Sequence, residues 1–295
     1  MSPARTWRVA LPLLLVVLLA FGLRLFAIDR QDIWGDEAFS IWLSSQPLAE
    51  VVAGGADTHP PFYPFLLAIW LRLAGSGPLA ARALSAYAGT LIVPTVYVLA
   101  RRLFAACGED AMRAIALLAA LLAALSPALV YYAQETRMYG LVTLLAAASV
   151  YWSLRFYRAP HSTGAALGCF LSGLAAVYTH YYAFFVLLAE NLVLFPALLR
   201  ARRSGARRWL AVHGAMAIAY LPWIAVQTGF LEGKASARFA EWGAAALRIA
   251  SETLTAFAGG LALQPDAAWA VALPFLVAVA AGLFLALRPA LAADR

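Results

Sequence analysis

Charge is scarce in this chain: Asp, Glu, Lys and Arg together make up 13% of its 295 residues, against 64% hydrophobic. A soluble domain keeps about a quarter of its residues charged, so this chain cannot solvate its own surface in water. Lipid must be the solvent for most of it, in keeping with a mean hydropathy of +0.78. Cysteine is nearly absent. The two present, Cys107 and Cys169, sit in or beside apolar segments, which excludes a disulfide framework and a thiolate metal site. Lysine occurs once, at Lys234, while alanine and arginine dominate, as they do in proteins from GC-rich bacterial genomes.

The net charge of +7 would suggest nucleic acid in a soluble protein. Here the arginines cluster at Arg5/Arg8, Arg101/Arg102/Arg113, Arg155/Arg158 and Arg200 to Arg208. Each cluster flanks an apolar run rather than forming an extended basic surface, so nucleic acid is not an expected partner. The clusters read as cytoplasmic loops of a membrane protein.

Apolar runs long enough to span lie at about 9–28, 79–100, 112–132, 139–158, 164–180, 182–199, 209–228 and 268–287. The first is too long for the apolar core of a signal peptide and lacks a small-residue cleavage site, so it reads as an uncleaved helix. Residues 61–74 are apolar but short, and two prolines open the run. Were they to cross, every later arginine cluster would invert, so they read as a juxtamembrane helix with aromatics at headgroup depth. The expectation is therefore one all-α, multi-pass membrane domain over 1–295, of about eight helices, with the N-terminus cytoplasmic. Two loops face outward, 29–78 and 229–267, and hold most of the acids. Within the second, 240–257 has the pattern of a surface helix.

Several outer segments carry groups fit for chemistry. Asp36 and Glu37 are adjacent, and a carboxylate at a membrane surface can take a proton from an acceptor hydroxyl. Asp57 and His59 are two apart, stiffened by Pro60 and Pro61, and are the candidate ligands for a divalent metal. Arg82 and Arg137 stand on the side positive charge avoids, where an arginine needs an anionic partner such as a lipid-linked phosphate. His180 sits in a tyrosine-rich turn with Tyr178, Tyr181 and Tyr182. Glu190 is the one acid inside an apolar run.

The ordered motifs resemble a known family. Trp34-Gly-Asp-Glu-Ala-Phe-Ser40, Asp57-Thr-His-Pro-Pro-Phe-Tyr63, Ala81-Arg-Ala-Leu-Ser85, Tyr132-Ala-Gln-Glu-Thr-Arg-Met-Tyr139 and Tyr178-Thr-His-Tyr-Tyr182 are similar to those of bacterial membrane glycosyltransferases related to protein O-mannosyltransferases and lipid A aminoarabinose transferase. The resemblance implies the GT-C fold. It also implies transfer of a sugar, with inversion, from a polyprenyl-phosphate carrier to a protein, lipid or glycan on the outer side of the cytoplasmic membrane. Under it, Asp36 is the candidate base, and Glu37 supports it or binds the acceptor. Arg82, Arg137 and His180 would surround the donor phosphate. Asp57, His59 and Tyr63 would lie on the acceptor side, with Gln134, Glu135, Tyr139 and Tyr181. The competing class is a lipid or lipid-linked sugar transporter, for which inverted repeats and broken mid-membrane helices are the signature; the sequence has no repeat. A catalytically silent homologue is a third reading.

Overall fold

Alanine- and leucine-rich runs punctuated by Ser-Pro, Gly-Pro and Pro-Pro steps produce a bundle of helices whose ends fall at those steps. The computed structural model describes residues 3–54, 57–201, 203–231 and Val277. In chain order the helices are α1 (Pro3–Leu25), α2 (Gly35–Ser45), α3 (Leu48–Ala53), α4 (Phe62–Ala74), α5 (Pro78–Leu103), α6 (Glu109–Leu125), α7 (Pro127–Ala133), α8 (Tyr139–Arg158), α9 (Thr163–Val177), α10 (Ala183–Ala201) and α11 (Arg203–Leu231). No strand is present among the described residues.

Among the described residues, three helices are long and apolar enough to cross a membrane: Pro78–Leu103, Ala183–Ala201 and Arg203–Val226. A fourth crossing results if α6 and α7 count as one broken span. Ala10–Leu25 and Thr163–Val177 are apolar but shorter, and α8 is diluted by Tyr, Ser and Thr. The expected last span at 268–287, and the helix expected at 240–257, lie outside the described residues. The segment at 61–74 does form a helix, α4, of 13 residues; at 1.5 Å per residue it is about 20 Å long, short of the roughly 30 Å hydrocarbon core.

The expected single helix at 112–132 is instead broken. α6 and α7 meet at 54°, because Ser126 caps α7 and Pro127 takes its first position, where the missing N–H costs nothing. Breaking a helix strands its last carbonyls. Arg24 of α1, fully buried, reaches them: Nη1 donates to Ala124 O at 3.2 Å and Nη2 to Ala123 O at 3.2 Å. Gln134 returns the favour at the end of α1, donating to the carbonyls of Leu23, Arg24 and Phe26 at 3.3, 3.3 and 2.8 Å. Each helix end thus caps the other. Gly89 of α5 makes room for the junction, since a Cβ there would stand 2.5 Å from Ala133 Cβ and 3.2 Å from Arg24 Nε. Arg24→Leu is expected to destabilise the fold by about 1–3 kcal/mol, the cost of leaving buried carbonyls unpaired, read as a lower melting midpoint in detergent.

Small residues let the helices approach closely. Ala20, Ala100, Ala116, Ala120, Ala123 and Ala124 join Val93 and Tyr97 where α1, α5 and α6 meet. A second cluster, around Phe156, Leu198, Trp209 and Met216, ties α8 and α9 to α10 and α11. Glu190 is buried here and accepts from Ser153 Oγ at 2.8 Å, a clamp between α10 and α8. One end of the bundle then gathers α2, α3, α4 and the turns at 134–138 and 178–182, where the five motifs come together.

Candidate active site

α2 begins at Gly35, so Asp36 and Glu37 occupy its first turn, where carboxylates are favoured by the helix dipole. Adjacent helical residues point about 100° apart, so the two acids face different surroundings. Glu37 turns inward and is fully buried. Its carboxylate accepts from Arg82 Nε at 2.8 Å, from Arg82 Nη2 at 2.7 Å and from Thr136 N–H at 2.7 Å. Burial alone would raise its pKa, but the Arg82 and Thr136 hydrogen bonds and the Arg82 charge outweigh it and hold the group below its ordinary value. Asp36 turns outward, 54% exposed, with Arg137 Nη2 at 3.5 Å.

The two arginines differ in what they have left to give. Arg82 donates twice to Glu37; its Nη1 donates to Ile28 O and Gln31 O at 2.7 and 2.9 Å, and its Nη2 also to Asp32 O at 3.1 Å. All of its N–H groups are engaged in holding the first loop to α5. Arg137 is also buried, but among the described residues its Nη1 donates only to Asp36 O at 3.3 Å and Ser40 Oγ at 3.2 Å, and its Nε has no partner. A guanidinium with a nitrogen left over in this way can hold an anion.

Asp57 and His59 pair with each other. Asp57 Oδ1 accepts both the His59 backbone N–H and the ring Nδ1, each at 3.0 Å. Burial pushes the Asp57 carboxyl up, yet His59 and Arg137 pull it below the ordinary range. With Nδ1–H held by the carboxylate, the lone pair of His59 lies on Nε2. No three His, Cys, Asp or Glu side chains converge as a metal site among the described residues, and Glu37 is spent on Arg82. The crevice between these elements, lined by Ser40, His59, Tyr63, Arg137 and Thr179 among others, has about 10 Å³, room for one water.

His180 lies in the turn after α9, its ring 5.3 Å from that of His59 and 5.9 Å from Tyr139. Nδ1 accepts from Tyr182 N–H at 3.1 Å, leaving the neutral ring's proton on Nε2. Burial first, then the neighbouring His59 and Arg137, push its pKa down to about 4. Tyr139 lies between His180 and Tyr132, tilted to both rings and 4.7 Å from the latter, and Tyr181 donates to Thr58 O. These rings form an aromatic wall beside Asp36 and Arg137. Tyr63 is buried, its hydroxyl 3.2 Å from Ser85 Oγ. Glu135 is buried too; burial, against the Tyr131 hydroxyl, raises its pKa. Gln134 caps α1 and does not enter the site.

Sequence reasoning missed Ser40, Ser85 and Thr136. Ser40 stands four residues after Asp36 on the same helical face, a legible spacing, and Ser85 donates to Arg137 O at 3.0 Å, three residues on from Arg82.

The low pKa of His180 has a consequence for stability. Unfolded, its imidazole titrates near 6.5; folded, near 4. Between those values the unfolded state binds the proton and the native state does not, so stability is complete above pH 6.5 and is lost as pH falls toward 4. The melting midpoint is expected to drop between pH 6.5 and pH 5, and His180→Gln to flatten that slope.

The described residues thus join acids, an open arginine and an aromatic wall at one end of a membrane helix bundle. No curated protein matches the chain. Residues 58–225, more than half its length, match the dolichyl-phosphate-mannose-protein mannosyltransferase family, a match that takes in His59, Arg82, Arg137 and His180 and begins after Asp36, Glu37 and Asp57. The chain belongs to that family of membrane glycosyltransferases.

Proposed function

We propose that this protein is a GT-C-type transferase moving a sugar, with inversion, from a polyprenyl-phosphate donor to an acceptor hydroxyl of a protein, lipid or glycan. The reaction takes place at the outer face of the cytoplasmic membrane. The observation that carries this reading is Arg137: buried, with an unpartnered Nε, and 3.5 Å from the exposed Asp36 carboxylate. A phosphate leaving group needs fixed positive charge as its own charge develops, and a guanidinium already held by Ser40 provides it without reorganisation. Asp36 accepts the acceptor's proton as its oxygen bonds to the anomeric carbon, and the bond from that carbon to the phosphate oxygen breaks on the opposite side. His180, neutral above about pH 4, donates from Nε2 to the donor phosphate or a sugar hydroxyl, with Tyr139 as a ring surface for the sugar.

Arg82 takes a different role from the one its motif implies, while Glu37 keeps the role of supporting Asp36. With every N–H and carboxylate oxygen engaged internally, they position the start of α2, and through it Asp36, without touching substrate. A second assignment of the base rests on the Asp57–His59 pair, whose geometry leaves His59 Nε2 as a proton acceptor.

The test is release of polyprenyl phosphate by the lipid-reconstituted protein from a panel of polyprenyl-phosphate sugars, with Arg137→Gln alongside. Release from one donor, with affinity for that donor falling in Arg137→Gln, supports the assignment. Donor binding without release from any member would replace the transferase with a transporter or a silent homologue.

A further inference from the structure

A second feature lies away from this site, toward the arginine-rich end of the bundle. Between α5 and α8 runs a groove of about 310 Å³, lined by Pro94, Thr95, Val98, Ala148, Tyr151 and Trp152. That is the lower end of the volume range of small-molecule sites. Its floor is apolar in effect: the one hydroxyl of α5 in it, Thr95 Oγ1, donates to its own helix at Leu91 O, 2.8 Å away. Ala148 leaves the space open, and Gly168 of α9 lets the wall form, because a Cβ there would overlap the Trp152 indole. An acyl chain can lie in such a groove without stranding a polar group.

The mouth is cationic. Arg102 lies 4.5 Å over the Tyr151 ring and donates to its hydroxyl at 3.0 Å; Arg155 lies 5.1 Å over the Trp152 ring. Both rings line the groove. Of the two acids at the start of α6, Glu109 is taken by Arg101 at 3.6 Å and Arg113 at 2.6 Å, and Asp110 pairs with neither Arg102 nor Arg155 among the described residues. Arg102 and Arg155 have no carboxylate among the described residues, and Arg102 Nε is buried without a partner. Two guanidinium groups held by aromatic faces and left unneutralised, at the lip of an apolar channel, match a phosphodiester headgroup with its chains below.

We infer that this groove binds an anionic phospholipid from the leaflet that the arginine-rich end of the bundle faces, with Arg102 and Arg155 on the phosphate and the α5–α8 groove on an acyl chain. The site is separate from the one around Asp36 and does not depend on what that site catalyses.

Native mass spectrometry of the full chain in detergent, titrated with phosphatidylglycerol or phosphatidylcholine, counts bound lipids directly. The first phosphatidylglycerol is expected to bind about tenfold tighter than phosphatidylcholine, from two arginines at the headgroup. Arg102→Gln with Arg155→Gln removes that preference, and Arg102→Lys retains most of it. Arg113→Gln, which removes charge at the same end but away from the groove, leaves it unchanged. Ala148→Phe fills the groove and weakens both lipids, which decides the matter even if the double variant fails to fold. No preference in the wild type, a preference surviving the double variant, or an equal loss in Arg113→Gln would overturn the inference.

Discussion

Glu37→Gln is expected to destabilise the protein by roughly 3–5 kcal/mol, because it strands the buried Arg82 charge that the carboxylate neutralises. The pair is dry: the side chains are 3% and 0% exposed at 2.7 Å. Gln offers one acceptor oxygen and an NH₂, so of the two Arg82 N–H groups that donate to Glu37 one keeps an acceptor and the other faces a donor. The expected readout is loss of folded protein in mild detergent. Arg82→Met together with Glu37→Leu should be more stable than either single change, since removing both charges leaves none buried alone. The same ion pair makes the fold acid-sensitive. The Glu37 pKa is lowered in the native state, so its stabilisation is complete above the ordinary carboxyl range and is lost as pH falls through the lowered value.

Asp36→Asn carries the largest expected effect on activity. A positioned base contributes about 10²–10⁴ in rate, and the amide cannot accept the acceptor's proton. Asp36 is half exposed and, among the described residues, its carboxylate pairs only with Arg137 at long range, so Asn should fold and should leave donor affinity close to wild type. The signature is a fall in turnover without a matching fall in donor binding. Arg137→Gln should show the converse emphasis, a weakened donor complex, because it removes the charge that meets the phosphate.

The helical, lipid-solvated character of the chain was legible in its scarcity of charge and its apolar runs, and the five motifs do meet at one end of the bundle. What each member does there was less legible. Asp36 and Glu37 are neighbours of like charge, and nothing local decides which turns inward. That depends on Arg82, 45 residues away, and on the Thr136 N–H. Arg82 reads as a free cation at a membrane edge, but its partners are the Glu37 carboxylate and backbone carbonyls of the first loop, and the carbonyls carry no sequence signal. Gln134 sits inside a motif yet serves the end of α1. The break at Ser126 was readable as a Ser-Pro helix start, but its apolar surroundings masked it within a single run. The count of about eight crossings rested on run length. The helices that meet both length and apolarity among the described residues are three, or four with the broken pair, since Tyr, Ser, Thr and Arg155 lower the apolarity of α8.

The most direct measurement compares single-turnover release of polyprenyl phosphate by wild type, Asp36→Asn and His59→Gln in lipid. The account predicts a loss of about 10²–10⁴ in Asp36→Asn, with His59→Gln remaining within about tenfold of wild type. Unchanged release in Asp36→Asn, with the large loss falling on His59→Gln, would contradict it and move the proton to the Asp57–His59 pair.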